Sequence, residues 1–349
     1  MESRMKLAFI GTGKIIEDAL YAVRFCPAVS KTAIYAREHS KAKAEKLAMD
    51  HQISKIYTDY NKLLTESSAD TVYIGLVNSA HYQYAKEALN AGKNVILEKP
   101  LTGFYEQAKE LCMLAKEKQQ FLFEAITILH NPAFEALKSA IEKIGKIRLF
   151  NGNYSQYSSR YDSYRKGVVE HAFDPEYYGG ALFDINIYNI HYCVALFGKP
   201  KGIDYFPNLG FNGIDTSGVL ILDYDTFKAV CIGGKDADGR CYLSIQGEDG
   251  EIFVDSKPND VNRIELSYTD SSKATTRDAS GATVRAKKKE VLIHEEPKHR
   301  MIFEFEKFAK IMTEKDFKLA EQLNEESLTV LEILETAREK AGINFLNGV

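Results

Sequence analysis

Strand-like and helical patterns alternate along the first 126 residues, and this alternation restricts the possible fold more than any other feature of the chain. Helical spacing separates the strand-like runs, as at Tyr82, Ala85 and Leu89, which lie at positions i, i+3 and i+7. Strands joined by helices of this length form right-handed βαβ units with a parallel sheet. The sequence therefore predicts an α/β fold with a doubly wound, Rossmann-type parallel sheet. Its predicted strands are Lys6–Ile10, Thr32–Ala36, Thr71–Leu76, Asn94–Glu98 and Phe121–Ile126.

After Asn131 and Pro132 the pattern changes to short β runs bounded by Gly, Asp and Asn, which indicate an antiparallel sheet. Since 349 residues exceed the usual size of one hydrophobic core, we expect two domains. Residues 1–128 form the predicted Rossmann domain, and residues 129–349 form an α+β domain with a large, mostly antiparallel open sheet. We expect the terminal helix to pack back on the first domain. The predicted elements are helices Ala133–Lys143, Gly180–Phe197, Pro297–Met312 and Glu325–Ala341, strands Ile147–Gln156, Gly218–Tyr224, Lys228–Gly233, Cys241–Gln246, Glu251–Asp255 and Arg263–Tyr268, and a polar loop or hairpin at Thr269–Thr283.

Charge and cysteine content exclude several classes of protein. The net charge is −4 and no long block of like charge occurs, which argues against nucleic acid as the main partner. No segment has the length and apolarity of a signal peptide or a membrane span, so we expect a cytoplasmic protein. The cysteines have no CxxC spacing and lie mostly in apolar stretches, which predicts reduced packing residues and no metal site. They are Cys26, Cys112, Cys193, Cys231 and Cys241.

A glycine pair lies between the first predicted strand and the first helix, in the run Gly11-Thr12-Gly13-Lys14-Ile15. The first glycine permits the tight turn, the second lets the backbone approach a pyrophosphate, and the helix N-terminus supplies amide donors. Ile16 replaces the third glycine of the usual pattern. These residues predict a dinucleotide site.

The end of the second predicted strand bears on the choice of cofactor. NAD enzymes place an acidic residue there, but this chain has Ala36 followed by Arg37. A guanidinium with the nearby donors His39 and Ser40 suits a 2′-phosphate. The sequence therefore favours NADP over NAD, and Glu38 is the residue that could contradict this prediction.

The strand Asn94–Glu98 ends at a charged pair, Glu98 and Lys99, directly before Pro100. In open α/β sheets ligands bind at the carboxyl ends of the strands, and the proline holds Lys99 in an extended conformation. Lys99 is therefore a catalytic candidate, with an exposed Lys-Pro turn as the alternative. Asn78 and His81 follow the previous strand and are expected beside the nicotinamide and ribose, although Asn78 fits a helix N-cap equally well.

A predicted helix carries three polar groups within a mostly apolar run. Asp184, Tyr188 and His191 are spaced at i, i+4 and i+7, which places them on one helical face. Buried polar groups need partners, so a functional site is favoured over a solvent-facing stripe.

Four motifs occur in one order: the Gly11/Gly13 turn, Asn78-Ser-Ala-His81, Glu98-Lys99-Pro100, and the helix with Gly179, Asp184 and Tyr188. This series resembles the glucose–fructose oxidoreductase / inositol dehydrogenase / MocA (Gfo/Idh/MocA) family over most of the chain. Many members have histidine four residues after the aspartate. Tyr188 is similar instead to the branch that includes dimeric dihydrodiol dehydrogenase, and His191 stands where many relatives have a second aspartate.

The resemblance implies an NAD(P)-dependent oxidoreductase acting on a CH–OH or C=O group of a sugar, polyol or cyclic diol. It implies a catalytic set of Lys99, Asp184 and Tyr188, in which the Lys99 ammonium lowers the pKa of the Tyr188 phenol and Asp184 orients the lysine or a substrate hydroxyl. Whether Lys99 or Tyr188 is the proton donor stays open. The implied cofactor-binding set is Gly11, Thr12, Gly13, Lys14, Ile15, Ala36, Arg37, Asn78, His81, Glu98 and Lys99.

Eight of the 20 tyrosines lie between Tyr154 and Tyr192, a composition that suits a sugar ring or a cyclic diol. Some of them could equally belong to the core or to a subunit interface. We expect a homo-oligomer formed through the C-terminal sheet, whose open face needs a cover. The rival interpretations are a non-catalytic dinucleotide or sugar sensor and an interaction protein on the same scaffold. The predicted substrate-binding set is Lys99, Tyr161, Asp184, Tyr188 and His191.

Overall fold

The first sheet has the predicted Rossmann architecture. The computed structural model describes residues 4–346, and within them six parallel strands follow the order β3-β2-β1-β4-β5-β6. The short edge strand β3 was not predicted, because three residues are too few to show alternation. The elements are β1 Met5–Ile10, α1 Lys14–Ala22, β2 Val29–Tyr35, α2 Lys41–His51, β3 Lys55–Tyr57, α3 Tyr60–Glu66, β4 Thr71–Ile74, α4 His81–Asn90, β5 Asn94–Glu98, α5 Tyr105–Glu117 and β6 Leu122–Ala125.

The second sheet is mostly antiparallel, as predicted, with the order β16-β13-β12-β11-β7-β10-β9-β8 among the described residues. Only its central pair, β7 and β10, runs parallel. The polar segment Thr269–Thr283 overlaps a small hairpin formed by β14 and β15. The elements are α6 Pro132–Ala140, β7 Ile147–Ser155, α7 Tyr161–Arg165, α8 Ile187–Phe197, β8 Gly202–Leu209, β9 Asp215–Asp223, β10 Lys228–Gly234, β11 Tyr242–Gly247, β12 Gly250–Val254, β13 Arg263–Thr269, β14 Thr276–Arg277, β15 Thr283–Val284, β16 Lys287–Ile293, α9 Ile302–Glu314 and α10 Phe317–Lys340.

A π-helical turn, Leu182–Asn186, precedes α8, where the sequence predicts one regular helix over Gly180–Phe197. Such turns insert one extra residue into the helical repeat and are frequent at functional sites. The turn rotates Asp184 relative to the residues of α8. Buried amide groups then fix this segment to the sheet, since Asn186 donates to the carbonyl of Cys231 at 3.0 Å and Asn189 to that of Ile232 at 3.1 Å.

The last two helices return to the first domain. Phe305 and Phe308 of α9 belong to the same hydrophobic cluster as Leu7 and Phe9 of β1. Helix α10 begins eight residues earlier than predicted, because the Asp316 carboxylate accepts a 3.0 Å hydrogen bond from the backbone N–H of Leu319 and caps it. The division of the chain at residue 128 stays a prediction.

Candidate active site

A cleft of about 600 Å³ lies where the carboxyl ends of the parallel strands face the second sheet and the π-helical turn. This is the expected ligand position for an open α/β sheet. The cleft brings together residues that are up to 290 positions apart in sequence, from Gly11 to Met301. The predicted site residues that line it are Gly11, Thr12, Gly13, Lys14, Ile15, Ala36, Arg37, Asn78, Glu98, Lys99, Asp184 and Tyr188.

The glycine turn is shaped by contact with the neighbouring strand. Gly11 has φ +119°, and a Cβ atom there would lie 2.8 Å from the carbonyl oxygen of Gly75, so only glycine fits without strain. Gly13 is the N-cap of α1 and offers no side-chain cap, which leaves the helix N-terminus available to an anion.

A glycine directly after β4, Gly75, takes the role of the missing third glycine. A Cβ atom on Gly75 would lie 2.8 Å from the side chain of Ile16, so the glycine that allows close helix–strand packing stands on the neighbouring strand end instead. Ile16 is fully buried in this contact. The departure from the pattern therefore leaves the phosphate-binding geometry intact, and the turn fits a dinucleotide pyrophosphate.

Asn78 and Arg37 extend the same wall of the cleft. Asn78 donates a 3.0 Å hydrogen bond to the Tyr178 carbonyl, which ties the first domain to the second across the cleft. Arg37 is exposed and lies with Ser40 at the cleft margin, just after β2. Ala36 presents no carboxylate to a ribose there, so a negatively charged substituent would meet a guanidinium.

Lys99 and Asp184 form the electrostatic centre of the cleft. Lys99 Nζ donates to Asp184 Oδ1 at 2.9 Å and to the Asp184 backbone carbonyl at 2.5 Å. Although burial opposes its charge, the Asp184 carboxylate raises the pKa of Lys99, so the ammonium persists at neutral pH. Burial also disfavours an ionised Asp184, but Lys235 and Lys99 hold the pKa of that carboxyl well below its usual range.

Tyr188 faces this pair from α8. Lys99 Nζ lies 5.3 Å from the centroid of the Tyr188 ring, and the ring of Tyr154 packs against it at 5.8 Å between centroids. The expectation of a lowered pKa is wrong: burial raises the pKa of Tyr188, while Lys99 and then Arg300 only partly offset that effect. The phenol is therefore protonated at neutral pH. When it loses its proton, the Lys99 ammonium stabilises the phenolate that forms.

Glu98 lines the cleft, and a buried tyrosine of β4 binds its carboxylate. The Tyr73 hydroxyl donates to its carboxylate, and burial raises the pKa of Glu98. Arg300, which precedes α9, lines the cleft near Tyr188 and Glu98. The end of the chain thus contributes a cation to a site built mainly by its first half.

Three predicted site residues do not line the cleft within the described part of the chain. Both ring nitrogens of His81 face backbone carbonyls, Pro100 at 2.9 Å and Leu76 at 3.2 Å, so this buried residue joins two strand ends. Tyr161 packs instead in an aromatic group, stacked on Tyr164 with 6.0 Å between centroids.

His191 does not line the cleft either, because its position on the buried helix α8 directs it into the core. Its Nε2 lies 3.4 Å from Glu124 Oε2, and both side chains are almost fully buried. Glu124 in turn accepts the backbone N–H of Leu101 at 2.9 Å, just beyond the Lys99–Pro100 bond, which is cis. His191 therefore supports the site from behind instead of contacting a ligand.

Several cleft residues were missed by the sequence analysis, including Tyr154, His171, Asn259 and Arg300, together with Lys235 behind Asp184. A lysine directly after the apolar run of β10 is the one sequence signal that resembles the pattern at Lys99. The others lie in segments without periodicity. Among residues 4–346, no cluster of His, Cys, Asp and Glu could hold a metal ion, and no helix has the length and apolarity to cross a membrane.

Comparison with known proteins agrees with this geometry. The family profile described as "Oxidoreductase family, NAD-binding Rossmann fold" matches residues 5–126, and the profile "GFO/IDH/MocA C-terminal domain" matches residues 134–253. The NADP(+)-dependent scyllo-inositol 2-dehydrogenase IolU of Bacillus subtilis is 33% identical over 97% of this chain and 98% of its own. This chain belongs to the Gfo/Idh/MocA family of oxidoreductases.

Two further proteins resemble this chain at lower sequence identity. The trans-1,2-dihydrobenzene-1,2-diol dehydrogenase of Xenopus tropicalis is 28% identical over 63% of this chain and 65% of its own length. The crystal structure of KijD10, a 3-ketoreductase from Actinomadura kijaniata in complex with NADP and TDP-benzene, has a TM-score of 0.79 at 20% identity, covering 97% of this chain and 98% of its own. That similarity establishes the fold.

Proposed function

We propose that this member of the Gfo/Idh/MocA family is an NADP-dependent oxidoreductase that interconverts a secondary hydroxyl and a ketone on a ring-shaped polyol, sugar or cyclic diol. The observation that carries the proposal is the meeting of Lys99, Asp184 and Tyr188 in one cleft with a dinucleotide turn. A protein that only senses a dinucleotide has no need of an ammonium–carboxylate pair beside a buried phenol.

The proton is assigned to Tyr188. Because burial keeps its phenol protonated at neutral pH, Tyr188 can donate a proton to a ketone oxygen in the reducing direction. In the oxidising direction its phenolate accepts the proton of the substrate hydroxyl, and Lys99 stabilises that phenolate. Ionised Asp184 fixes Lys99 in place. The nicotinamide, when bound, supplies or accepts the hydride.

The residues present fit the dinucleotide. The backbone around Gly11 and Gly13 and the N-terminus of α1 would hold the pyrophosphate, and Arg37 with Ser40 would hold a 2′-phosphate. The relative from Bacillus subtilis is named for NADP(+), which supports the same choice.

The substrate class is inferred from two relatives and from the cleft wall. Their names specify scyllo-inositol and a dihydrobenzenediol, which are six-membered rings with adjacent hydroxyls. Tyr154, Tyr177 and Tyr188 line the cleft, and such residues offer both a stacking face and a hydroxyl to a ring of this kind.

A homodimer through the second sheet is part of the proposal, as is a reducing, cytoplasmic location for a chain with five free cysteines. On β9 and β10 alternate residues are buried in the core, while Val219, Ile221, Val230 and Ile232 occupy the opposite face and are only half-buried. An apolar face of this kind is typical of a subunit interface. Light scattering should give twice the mass of the chain, and Ile221→Glu should reduce it; a wild-type monomer would contradict this part.

The function is tested by a screen of inositols, aldoses and cyclic diols with NADP+ and NAD+, following the absorbance of the reduced nicotinamide. We expect turnover of at least one ring polyol or diol with NADP+. Tight NADP+ binding without turnover of any substrate, in either direction, would point to the sensor instead.

A further inference from the structure

Lys235 is a buried cation that the proposed proton chemistry does not use. It directly follows β10, its side chain is 4% exposed, and its Nζ lies 2.7 Å from Asp184 Oδ2. Lys99 contacts the other oxygen of the same carboxylate at 2.9 Å. One carboxylate is thus held between two ammonium groups, and the three residues together carry a net charge of +1.

The position of Lys235 is fixed by the sheet and by the π-helical turn. A Cβ atom on Gly233 would lie 2.7 Å from the Cβ of Asn186, so glycine is required for β10 to pass this close to the turn that carries Asp184. The backbone N–H of Lys235 donates to the Thr216 carbonyl at 2.8 Å, and its own carbonyl accepts from the Ser158 N–H at 2.9 Å.

The remaining contacts of the Lys235 ammonium are with the segment that precedes the π-helical turn. Its Nζ donates to the Ala172 carbonyl at 2.8 Å and lies 4.7 Å from the centroid of the Phe173 ring. Asp184 lines the cleft, whereas Lys235 is absent from the described residues that do so. The ion pair with Asp184 is therefore the direct link between the Lys235 ammonium and the reacting centre.

Burying an ammonium is costly unless it is paired, so a second lysine at one carboxylate calls for a physical reason. With Lys99 alone, the pair would be neutral, and Asp184 would cancel the field that Lys99 exerts on the Tyr188 hydroxyl. With Lys235 on the far oxygen, a net positive charge remains on the side that Tyr188 faces.

We propose that Lys235 is a positioning residue: it offsets the charge of Asp184, so that Lys99 remains an effective cation for the Tyr188 phenolate. This inference rests on the proposed function. Other charged or titratable groups face Tyr188 or Asp184 from each neighbouring element, and one of them, His171, has its pKa lowered by burial, by Arg160 and by Lys235. They are Glu98 at the end of β5, Tyr154 on β7, His171 in the segment before the π-helical turn, and Arg300 before α9.

The test compares pH profiles of kcat/KM for oxidation with NADP+ and the best polyol from the screen. The uncharged variant Lys235→Met should move the acid limb upward by about one pH unit, because Asp184 then offsets the positive charge of Lys99 that favours the phenolate. Below that limb kcat/KM should fall about tenfold. Lys235→Arg keeps the positive charge, so its acid limb should lie at the same pH as that of the wild type. The matched control is Lys201→Met, which removes an exposed lysine paired with Asp225 and should leave the profile unchanged.

A second variant covers the case in which Lys235→Met fails to fold. Asp184→Asn/Lys235→Met removes the Lys235 ammonium together with the carboxylate that pairs with it and leaves a net charge of +1 on Lys99, so its acid limb should match the wild type even with a lower kcat. A limb that stays unmoved in Lys235→Met, or that moves by a full unit in the double variant, would overturn the inference. Absence of wild-type turnover with every substrate would instead remove the proposed function.

Discussion

The dinucleotide turn and the reacting centre lie in the same cleft but are constructed in opposite ways. The turn is a contiguous piece of backbone, Gly11 to Ile15, shaped by one glycine on the next strand. The centre consists of side chains from separate segments, with Lys99 from β5, Asp184 from the π-helical turn and Tyr188 from α8. Backbone geometry and local spacing therefore govern cofactor binding, whereas burial and charge balance govern the chemistry.

The largest expected effect belongs to the centre. Tyr188→Phe removes the hydroxyl but keeps the ring that packs on Tyr154, so kcat should fall by about 10²–10⁴-fold while NADPH affinity is preserved. Steady-state kinetics and fluorescence titration of NADPH measure the two effects. Tyr161→Phe, outside the cleft, is the matched control and should retain activity. Near-normal turnover in Tyr188→Phe would remove the assigned proton donor.

Lys99→Met should separate the two directions of the reaction. Lys99 opposes the rise in the pKa of Tyr188 that burial causes, so its loss raises that pKa further. Oxidation uses the phenolate, whereas reduction uses the phenol. At pH 7–8 the fall in kcat/KM should therefore be about tenfold or more larger for oxidation than for reduction. Profiles in both directions check this, with the exposed Lys109→Met as control. Equal losses at every pH would contradict the coupling.

A pair of glycine variants tests the turn. Gly11→Ala puts a methyl group against the Gly75 carbonyl at a positive φ, so it should cost roughly 1–3 kcal/mol of stability and weaken NADPH binding. Gly13 has φ −70° and open space around it, so Gly13→Ala should keep the melting temperature and weaken NADPH binding only. Calorimetry and fluorescence titration distinguish them. Equal melting temperatures for both variants would mean that the turn is less constrained than its geometry indicates.

The smallest effect is expected at the margin of the cleft. Arg37→Ala should weaken NADPH binding by about tenfold and leave NADH binding nearly unchanged, because an exposed charged contact with a phosphate contributes about 1–2 kcal/mol. Arg24→Ala, an exposed arginine away from the cleft, serves as control. If Arg37→Ala lowers the affinities for NADPH and NADH by the same factor, Arg37 does not contact a 2′-phosphate.

The same contrast explains which residues could be predicted. Strands β1, β2, β4, β5 and β6 follow from apolar periodicity, and the turn follows from glycine spacing, because both depend on neighbours along the chain. His191 was assigned to the cleft from regular helical spacing, but its side chain lies in the core beside Glu124, a contact with another part of the chain that spacing does not reveal. The pKa of Tyr188 was expected to fall, since the charge of Lys99 is visible in sequence whereas the larger effect of burial is not.

The sequence by itself determined the parallel sheet, the dinucleotide turn and the residue types that carry the chemistry, because these depend on local pattern and covalent order. Only the tertiary structure decided that Asp184 is shared by two lysines, that Gly75 replaces the missing glycine of the turn, and that Arg300 reaches the cleft. Those contacts join residues far apart along the chain, and their energies depend on desolvation and distance, which exist only after the chain has folded.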